Sequence, residues 1–444
     1  MGTPQKFACM MFLVIMAAFM IITYVHDVTK MACLNEFGDF GNYYFYAKAI
    51  NLKYPIYTLD DATIERLRIQ FGMPPFVHPT LHSPSYLFLI SFIAFFKYRP
   101  AITLWLLLNS AALLITLLLI VGMICEERKD IEKWFLLLTS VFLVFAFQPL
   151  LENMAVGQVN VLILFFFVMC LYLLKRGRPL LAGLLLSVGV VIKVHFGILL
   201  LFFLWKKEYR VFLSAGVTLI ILELLGGALY GAALERDYLF AGTPLFTYYT
   251  ARDTSSGNIC VPSLMGRVFN QPFFTNHPLV IPVAVFIISL FFMVYAFSIA
   301  RGRTKGMDMK FMLEFSLIIL ALFIVFPHVM EHHFVILYLP IVVIWALLIE
   351  HFDPFAPPLR RGSGSTPSKP WSLGGGRRGA DPRAVIAFLI SFLLIGLKYA
   401  WGRFPTLGGG LISLVTGLKL YGVIILFFLV AAMIRGCAPG AERR

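Results

Sequence analysis

"VNVLILFFFVMCLYLLKRGRPLLAGLLLSVGVVIKVHFGILLLFFLWKKEYR", residues 159–210, alternates long apolar runs with short basic clusters. The runs at 159–174 and 179–204 are bounded by "KRGR" at 175–178 and "WKKEYR" at 205–210. Runs of this length read as membrane-crossing helices, tilted or packed where they fall short of a full span. One interruption, "IKVHFG" at 192–197, sets Lys193 and His195 in apolar surroundings. Placing a lysine near mid-bilayer costs about 2.5–3.5 kcal/mol, so Lys193 is expected to be paired or to bind an anion such as a lipid phosphate. The bland alternative is that it snorkels to the interface.

The same pattern recurs along the chain. Runs near twenty residues long lie at 7–26, 101–124, 211–232, 281–299, 332–349 and 413–434, and shorter ones at 84–96, 134–149, 311–327 and 385–400. With those in the opening stretch they predict an all-α polytopic membrane protein of about twelve transmembrane helices. Composition agrees: 60% of the 444 residues are hydrophobic, 14% are charged, and 44 are Phe, with mean hydropathy +0.85, which no soluble core of this length would bury. Net charge is +14. It lies in short connections and in 351–383, as the positive-inside tendency predicts, so nucleic acid is not an expected partner.

Twelve spans with both ends inside put segments 27–83 and 233–280 outside the cytoplasm, and 205–210, 301–310 and 351–383 within it. In that scheme Lys175, Arg176 and Arg178 fall outside, against the charge trend; two half-spans broken at "IKVHFG" would move them inside. The Gly-, Pro-, Ser- and Arg-rich stretch 353–383 reads as a flexible linker. Three regions are expected: a body at 1–350, a basic linker at 351–383 and a helix pair with tail at 384–444. The first run reads as a retained helix rather than a cleaved signal. The aromatic and polar stretches of 27–83 predict short helices lying at the membrane interface.

Several groups are candidates for chemistry. Asp39, in "GDFGNYYFYAKAI" (38–50), sits among Tyr43, Tyr44 and Tyr46. A carboxylate in such a poorly hydrated cleft suits a general base, while an ordinary loop acid is the plain alternative. In "PHVMEHHF" (327–334), His332 or His333 would donate to a phosphate or sugar hydroxyl, with Glu331 orienting it, or would simply cap a helix. "LLENMAVGQVN" (150–160) offers Gln158 to a cavity or forms a plain turn. Asn258, Ser263 and Arg267 in "GNICVPSLMGR" form a polar series suited to phosphate or sugar. His78 and His82 in "PPFVHPTLHSP" precede a span and are placed to close the same site. Six cysteines at 9, 33, 125, 170, 260 and 437 form no CxxC or metal-ligand spacing. No P-loop, GxGxxG or HExxH is present in a suitable context, so neither a nucleotide, a cofactor nor a metal ion is expected.

Taken in order, Asp39, Phe40, Tyr43, Tyr44, Ala47 and Tyr57, then "HSP" before a span, "GQVN" before an apolar run, "RPLLAGLLLSVGVVIK" (178–193), Asn258, Ser263, Leu264, Gly266 and Arg267, and finally Pro327 with His332 and His333, resemble glycosyltransferase family 87 over residues 35–350. The resemblance is to bacterial polyprenol-phosphate-mannose-dependent alpha-mannosyltransferases of GT-C architecture. It implies a hexosyltransferase, expected to be mannosyl-specific, in the bacterial inner membrane with its site facing the periplasm. A polyprenyl-phosphate sugar would be the donor, a lipid-linked or other glycan the acceptor, and membrane lipids the surroundings. Asp39 falls at the family's essential first-loop aspartate and His332 or His333 at its active-site histidine. His195 and the insert at 353–383 depart from the pattern. On this reading Asp39 takes the proton of an acceptor hydroxyl in a single inverting displacement, and Arg267, Lys193 or a histidine steadies the departing phosphate. One carboxylate suffices, whereas a glycosidase uses two. A transporter or flippase is the rival from another class, although no inverted repeat is found. A structural subunit of an envelope-polysaccharide system is a third.

Overall fold

The computed structural model describes residues 3–34, 38–75, 82–126, 130–242, 255, 257–276, 280–302, 307–351, 381–398 and 411–436. Residues 352–380 of the linker expected at 351–383, and His78, lie outside the described residues, and the helices on either side take in His351 and begin again at Pro382. All regular structure among them is helical. The first part of the chain runs through α1 (Thr3–Leu34), α2 (Gly38–Asn51), α3 (Asp61–Gln70), α4 (Pro84–Ile90), α5 (Tyr98–Ile124), α6 (Asp130–Phe145), α7 (Gln148–Val156) and α8 (Asn160–Lys175). It continues through α9 (Pro179–Ile192), α10 (Ile198–Trp205), α11 (Tyr209–Tyr230), α12 (Ala232–Asp237), α13 (Val261–Asn276), α14 (Val280–Ile299), α15 (Met309–Val325), α16 (Tyr338–His351), α17 (Pro382–Gly396) and α18 (Leu418–Gly436). Short 3₁₀ turns at Ser91–Phe95, Val194–Gly197, Glu331–Leu337 and Leu411–Gly417 join several of these.

Every apolar run becomes helix, but not every helix is a full span. Six among the described residues are long and apolar enough to cross a membrane: Phe7–Lys30, Tyr98–Ile124, Tyr209–Tyr230, Pro282–Ile299, Glu331–Ile349 and Leu414–Gly436. A seventh arises if Glu132–Phe145 and Gln148–Val156, which meet at 59°, form one bent span. The shortfall against twelve is one of length. At 1.5 Å per residue a helix such as α8 reaches about 24 Å, short of a hydrocarbon core of roughly 30 Å. The opening stretch contains one of the breaks: α9 stops at Ile192, Lys193 is extended (φ −140°, ψ 97°), and the chain restarts as a 3₁₀ turn and α10.

Rim and centre differ in what their side chains meet. α11 and α14 turn Leu213, Ile220, Leu224, Phe286 and Ile287 outward, as a lipid-facing surface requires. α15 and α16 are enclosed almost completely, from Phe311 to Ile324 and from Tyr338 to Leu348. α9 lies close against α11 at Gly183, where a Cβ would come within 2.5 Å of the Val211 carbonyl oxygen, and Ser187 seals the contact by donating to Ala215 O at 2.8 Å. The C-terminal pair α17 and α18 joins the body through rings: Phe147 on Phe392 (5.6 Å), Trp345 on Phe388 (5.9 Å) and Phe292 on Phe427 (5.1 Å).

Two expectations change. α2 does not lie on the surface, because Phe40, Tyr43, Tyr44, Phe45 and Tyr46 are all 2% exposed or less. Its aromatics point in every direction and leave no polar face, so the helix is inserted into the protein, and α3, capped by Asp60 and carrying an exposed Arg68–Glu65 pair, is the surface helix of the segment. Lys206, in the basic connection "WKKEYR", is not solvated either. It is 1% exposed and faces Glu314, 0% exposed, at 2.8 Å.

Candidate active site

α2 brings Asp39 to the site in its first turn, half-buried, with Tyr43 one turn later on the same face. The Tyr43 hydroxyl donates to Gln158 Oε1 at 2.8 Å. Gln158 is held there by the turn before it: Gly157 ends α7 in the left-handed region (φ 70°), which favours glycine, and its carbonyl accepts from Trp105 Nε1 at 2.8 Å. On its other side Tyr43 meets the His82 ring at 5.2 Å and the Tyr86 ring at 5.7 Å. Ser83 caps α4 by accepting from Tyr86 N–H, and Tyr57 Oη fixes the preceding residue by donating to His82 O at 2.5 Å. Burial, then the charges of Tyr86 and Asp39, hold the Tyr43 phenol well above its usual range. Burial, with the positive charge of Lys193 next, pushes His82 down to about 3, so this imidazole is neutral at physiological pH.

Lys193 stands at the centre of these charges. From the break between α9 and the following turn it is in electrostatic contact with Asp39 and His82 and with His195, His332 and His333. Among the described residues its side chain makes no close ion pair or hydrogen bond. His195 is wedged against Phe326 with centroids 4.1 Å apart. The 3₁₀ turn Glu331–Leu337 presents His332 and His333 with their rings at 4.5 Å, and His328 comes to 6.2 Å from His333. Backbone bonds fix this turn: Met330 N–H donates to His333 Nδ1 (3.2 Å), and Asn160 Nδ2 donates to His332 O (3.1 Å) and to Asn153 Oδ1 (3.0 Å). Asp39, Tyr43, His82, Gln158, Lys193, His195, His332 and His333 therefore come from distant stretches of chain to one place. No three His, Cys, Asp or Glu side chains among the described residues are disposed to hold a metal ion.

The remaining candidates lie elsewhere or act on the backbone. Tyr44 turns away, donating to Phe96 O at 2.9 Å and accepting from Lys48 Nζ at 3.0 Å. Arg267, 3% exposed, gives its Nη1 to Ser255 O (2.6 Å), Asn258 O (3.1 Å) and Ser263 Oγ (2.7 Å), and its Nε to Thr416 Oγ1 (3.1 Å). Asn258 Oδ1 in turn accepts from Val329 N–H at 3.0 Å. This trio braces the chain beside the histidines. Glu331 is bonded to Lys419 at 3.0 Å, a partner far along the chain. Three residues of the site escaped the sequence reading: Tyr86, one turn after His82; His328, in the same stretch as His332 and His333; and Lys419. The argument that marks Lys193, a lysine inside an apolar run, would have marked Lys419 as well.

A multi-pass helical membrane protein thus gathers one carboxylate, one lysine and several imidazoles in one place. The chain belongs to glycosyltransferase family 87, whose family model matches residues 81–327, more than half of its length. The matched region contains His82, Gln158, Lys193, His195, Asn258, Ser263 and Arg267 and leaves out Asp39, Tyr43, Tyr44, His332 and His333. Searches of curated proteins and of solved structures returned no match.

Proposed function

We propose that the chain is a GT-C glycosyltransferase that moves a hexosyl residue, expected to be mannosyl, from a polyprenyl-phosphate sugar to a lipid-linked or glycan acceptor. The observation that carries this reading is Lys193, a lysine in electrostatic contact with Asp39 and four histidines whose side chain makes no hydrogen bond to the described residues. Family membership supports the transfer chemistry, and the lysine supports a phosphate at the reacting centre.

In this mechanism Asp39 accepts the proton of an acceptor hydroxyl as its oxygen bonds to the anomeric carbon. The bond from that carbon to the phosphate oxygen breaks, and polyprenyl phosphate leaves with the electron pair. One displacement inverts the anomeric centre. Lys193 takes up the charge growing on phosphate, and His332 or His333 adds a donor hydrogen bond. Tyr43, fixed by Gln158, walls the sugar side with His82. Arg267, Asn258 and Ser263 contribute by holding the histidine turn.

The membrane placement proposed is the bacterial inner membrane, with segments 27–83 and 233–280 and the site on the periplasmic face and the basic linker 351–383 in the cytoplasm. Short helices packed inside the long ones complete a GT-C architecture of about twelve helices, ten in the body 1–350 and two in 384–444, joined by that linker.

The test is transfer from labelled polyprenyl-phosphate-mannose in proteoliposomes supplied with native membrane lipids. Asp39→Asn is expected to reduce transfer by about 10²–10⁴-fold, the range for removing a general base, with folding unchanged. Equal transfer by both proteins removes Asp39 from the role. Movement of intact donor across the bilayer without transfer would favour a flippase.

A further inference from the structure

The mechanism above leaves a second enclosed lysine without a part in the chemistry. Lys419, in the first turn of α18, has a side chain 4% exposed. Its Nζ donates to Glu331 Oε1 at 3.0 Å and to the carbonyl oxygens of Ile395 and Leu397 at 2.7 Å each. An ammonium has three donors, and three acceptors among the described residues meet it, so Lys419 acts as a tie point. Leu397 ends α17 and Glu331 opens the turn bearing His332 and His333. One ammonium thus joins both C-terminal helices to the histidines.

A second tie runs in parallel. Thr416, one helical turn before Lys419, accepts from Arg267, which holds the carbonyl oxygen of Asn258, whose side chain in turn accepts from Val329 N–H. Both ties reach the chain just ahead of the two histidines, at Val329 and at Glu331. Glu331, Thr416 and Lys419 all lie beyond the residues matched to the family.

We propose that the C-terminal pair α17 and α18 belongs to the catalytic unit, with Lys419 a positioning residue that fixes Glu331 and so the angle at which His332 and His333 meet the donor phosphate; this rests on the glycosyltransferase reading above. The carboxylate of Glu152 also acts on Lys419 and Glu331, and Lys398 acts on Glu331. The ammonium therefore answers to two carboxylates, and its removal leaves Glu331 without its bonded partner.

The test uses the full chain in proteoliposomes, comparing wild type, Lys419→Met, Glu331→Ala and Glu331→Gln. Lys419→Met and Glu331→Ala should each lower kcat about tenfold to a hundredfold, as a misplaced catalytic group does, with donor KM within about twofold. Glu331→Gln, which keeps an acceptor for Lys419, should retain most of the turnover. Reaction of His332 and His333 with diethyl pyrocarbonate, read by mass spectrometry on the folded fraction, should be faster in the first two variants than in wild type. Wild-type kcat in Lys419→Met or Glu331→Ala, or histidine reactivity unchanged in both, overturns the proposal. Should Lys419→Met fail to fold, Glu331→Ala removes the same tie from the other end. If wild type transfers no sugar, the functional reading fails, and the histidine reactivities still decide whether the tie exists.

Discussion

Lys193 and Lys206 stand at opposite ends of one short apolar segment, and the protein uses them in opposite ways. Lys206 is spent on the fold: its Nζ meets Glu314 at 2.8 Å and donates to the carbonyl oxygens of Gly302 (2.6 Å) and Ala300 (3.4 Å), where α14 ends. Lys193 is held by the fold but not used up by it. It occupies a break between helices, half-buried, among one carboxylate and several rings. Burial alone therefore does not mark a functional cation. What separates the two is whether the chain itself supplies the counter-charge and the acceptors.

The contrast predicts a cost in stability at one end and a cost in rate at the other. Lys206→Met should lower unfolding stability by about 3–5 kcal/mol, the range for breaking a buried ion pair by removing one partner, seen as a lower thermal midpoint in detergent. Replacing both members, Lys206→Met with Glu314→Leu, should recover most of that loss. A single variant as stable as wild type would break the comparison. Lys193→Met should leave the midpoint near wild type and slow transfer by about 10²–10³-fold, equivalent to about 2.7–4 kcal/mol in the transition state, as for loss of one electrostatic donor. A fall in midpoint without a fall in rate would reverse the roles assigned to the two lysines.

Smaller effects sharpen the picture around the site. Tyr43→Phe removes the shorter of the two bonds to Gln158 Oε1, which keeps that from Val159 N–H at 3.3 Å, and should cost about 0.5–1.5 kcal/mol of stability, the net worth of one hydrogen bond; a calorimetric or denaturant midpoint measures it. The smallest effect expected is a pH dependence from Glu235 in α12. Burial, then the charge of Glu223, raise it from 4.5 to about 7. Its protonated form is thus favoured in the folded state, so its contribution to stability is complete below about pH 4.5 and is lost as pH rises through about 7. Thermal midpoints of wild type and Glu235→Gln across that range should converge at low pH and separate above it, with the variant the less pH-sensitive.

Much of the fold was legible because apolar run length is a local property: each run named from sequence lies on a helix, and the interruption at "IKVHFG" is a real break. Span number was less legible, since twelve runs of mixed length yield six or seven helices long enough to cross on their own. Where a helix sits was not legible when the deciding partner is distant. α2 has the composition of an interfacial segment, yet its rings pack on Trp105, Tyr98 and Tyr86. The site divides on the same line. Tyr43, His82, Lys193 and the two histidines lie together, whereas Arg267, expected as a ligand contact, has its Nη1 and Nε on oxygens of the chain itself, which no spacing foretells. The type of a side chain shows what it can bind; only the fold shows what has already been bound.

The difference in burial between the first and the later spans bears on how the molecule is made. Phe7–Lys30 and Glu331–Ile349 have nearly equal hydropathy, 2.5 and 2.2, so each can partition into lipid as it leaves the ribosome. Only 11% of the first is enclosed by protein in the finished fold, against 89% of the second. The early helix is thus close to its final surroundings at insertion. The late one must exchange lipid neighbours for protein neighbours, and because Lys419 lies 88 positions downstream of Glu331, the histidine turn can gain that tether only after α18 has itself been inserted.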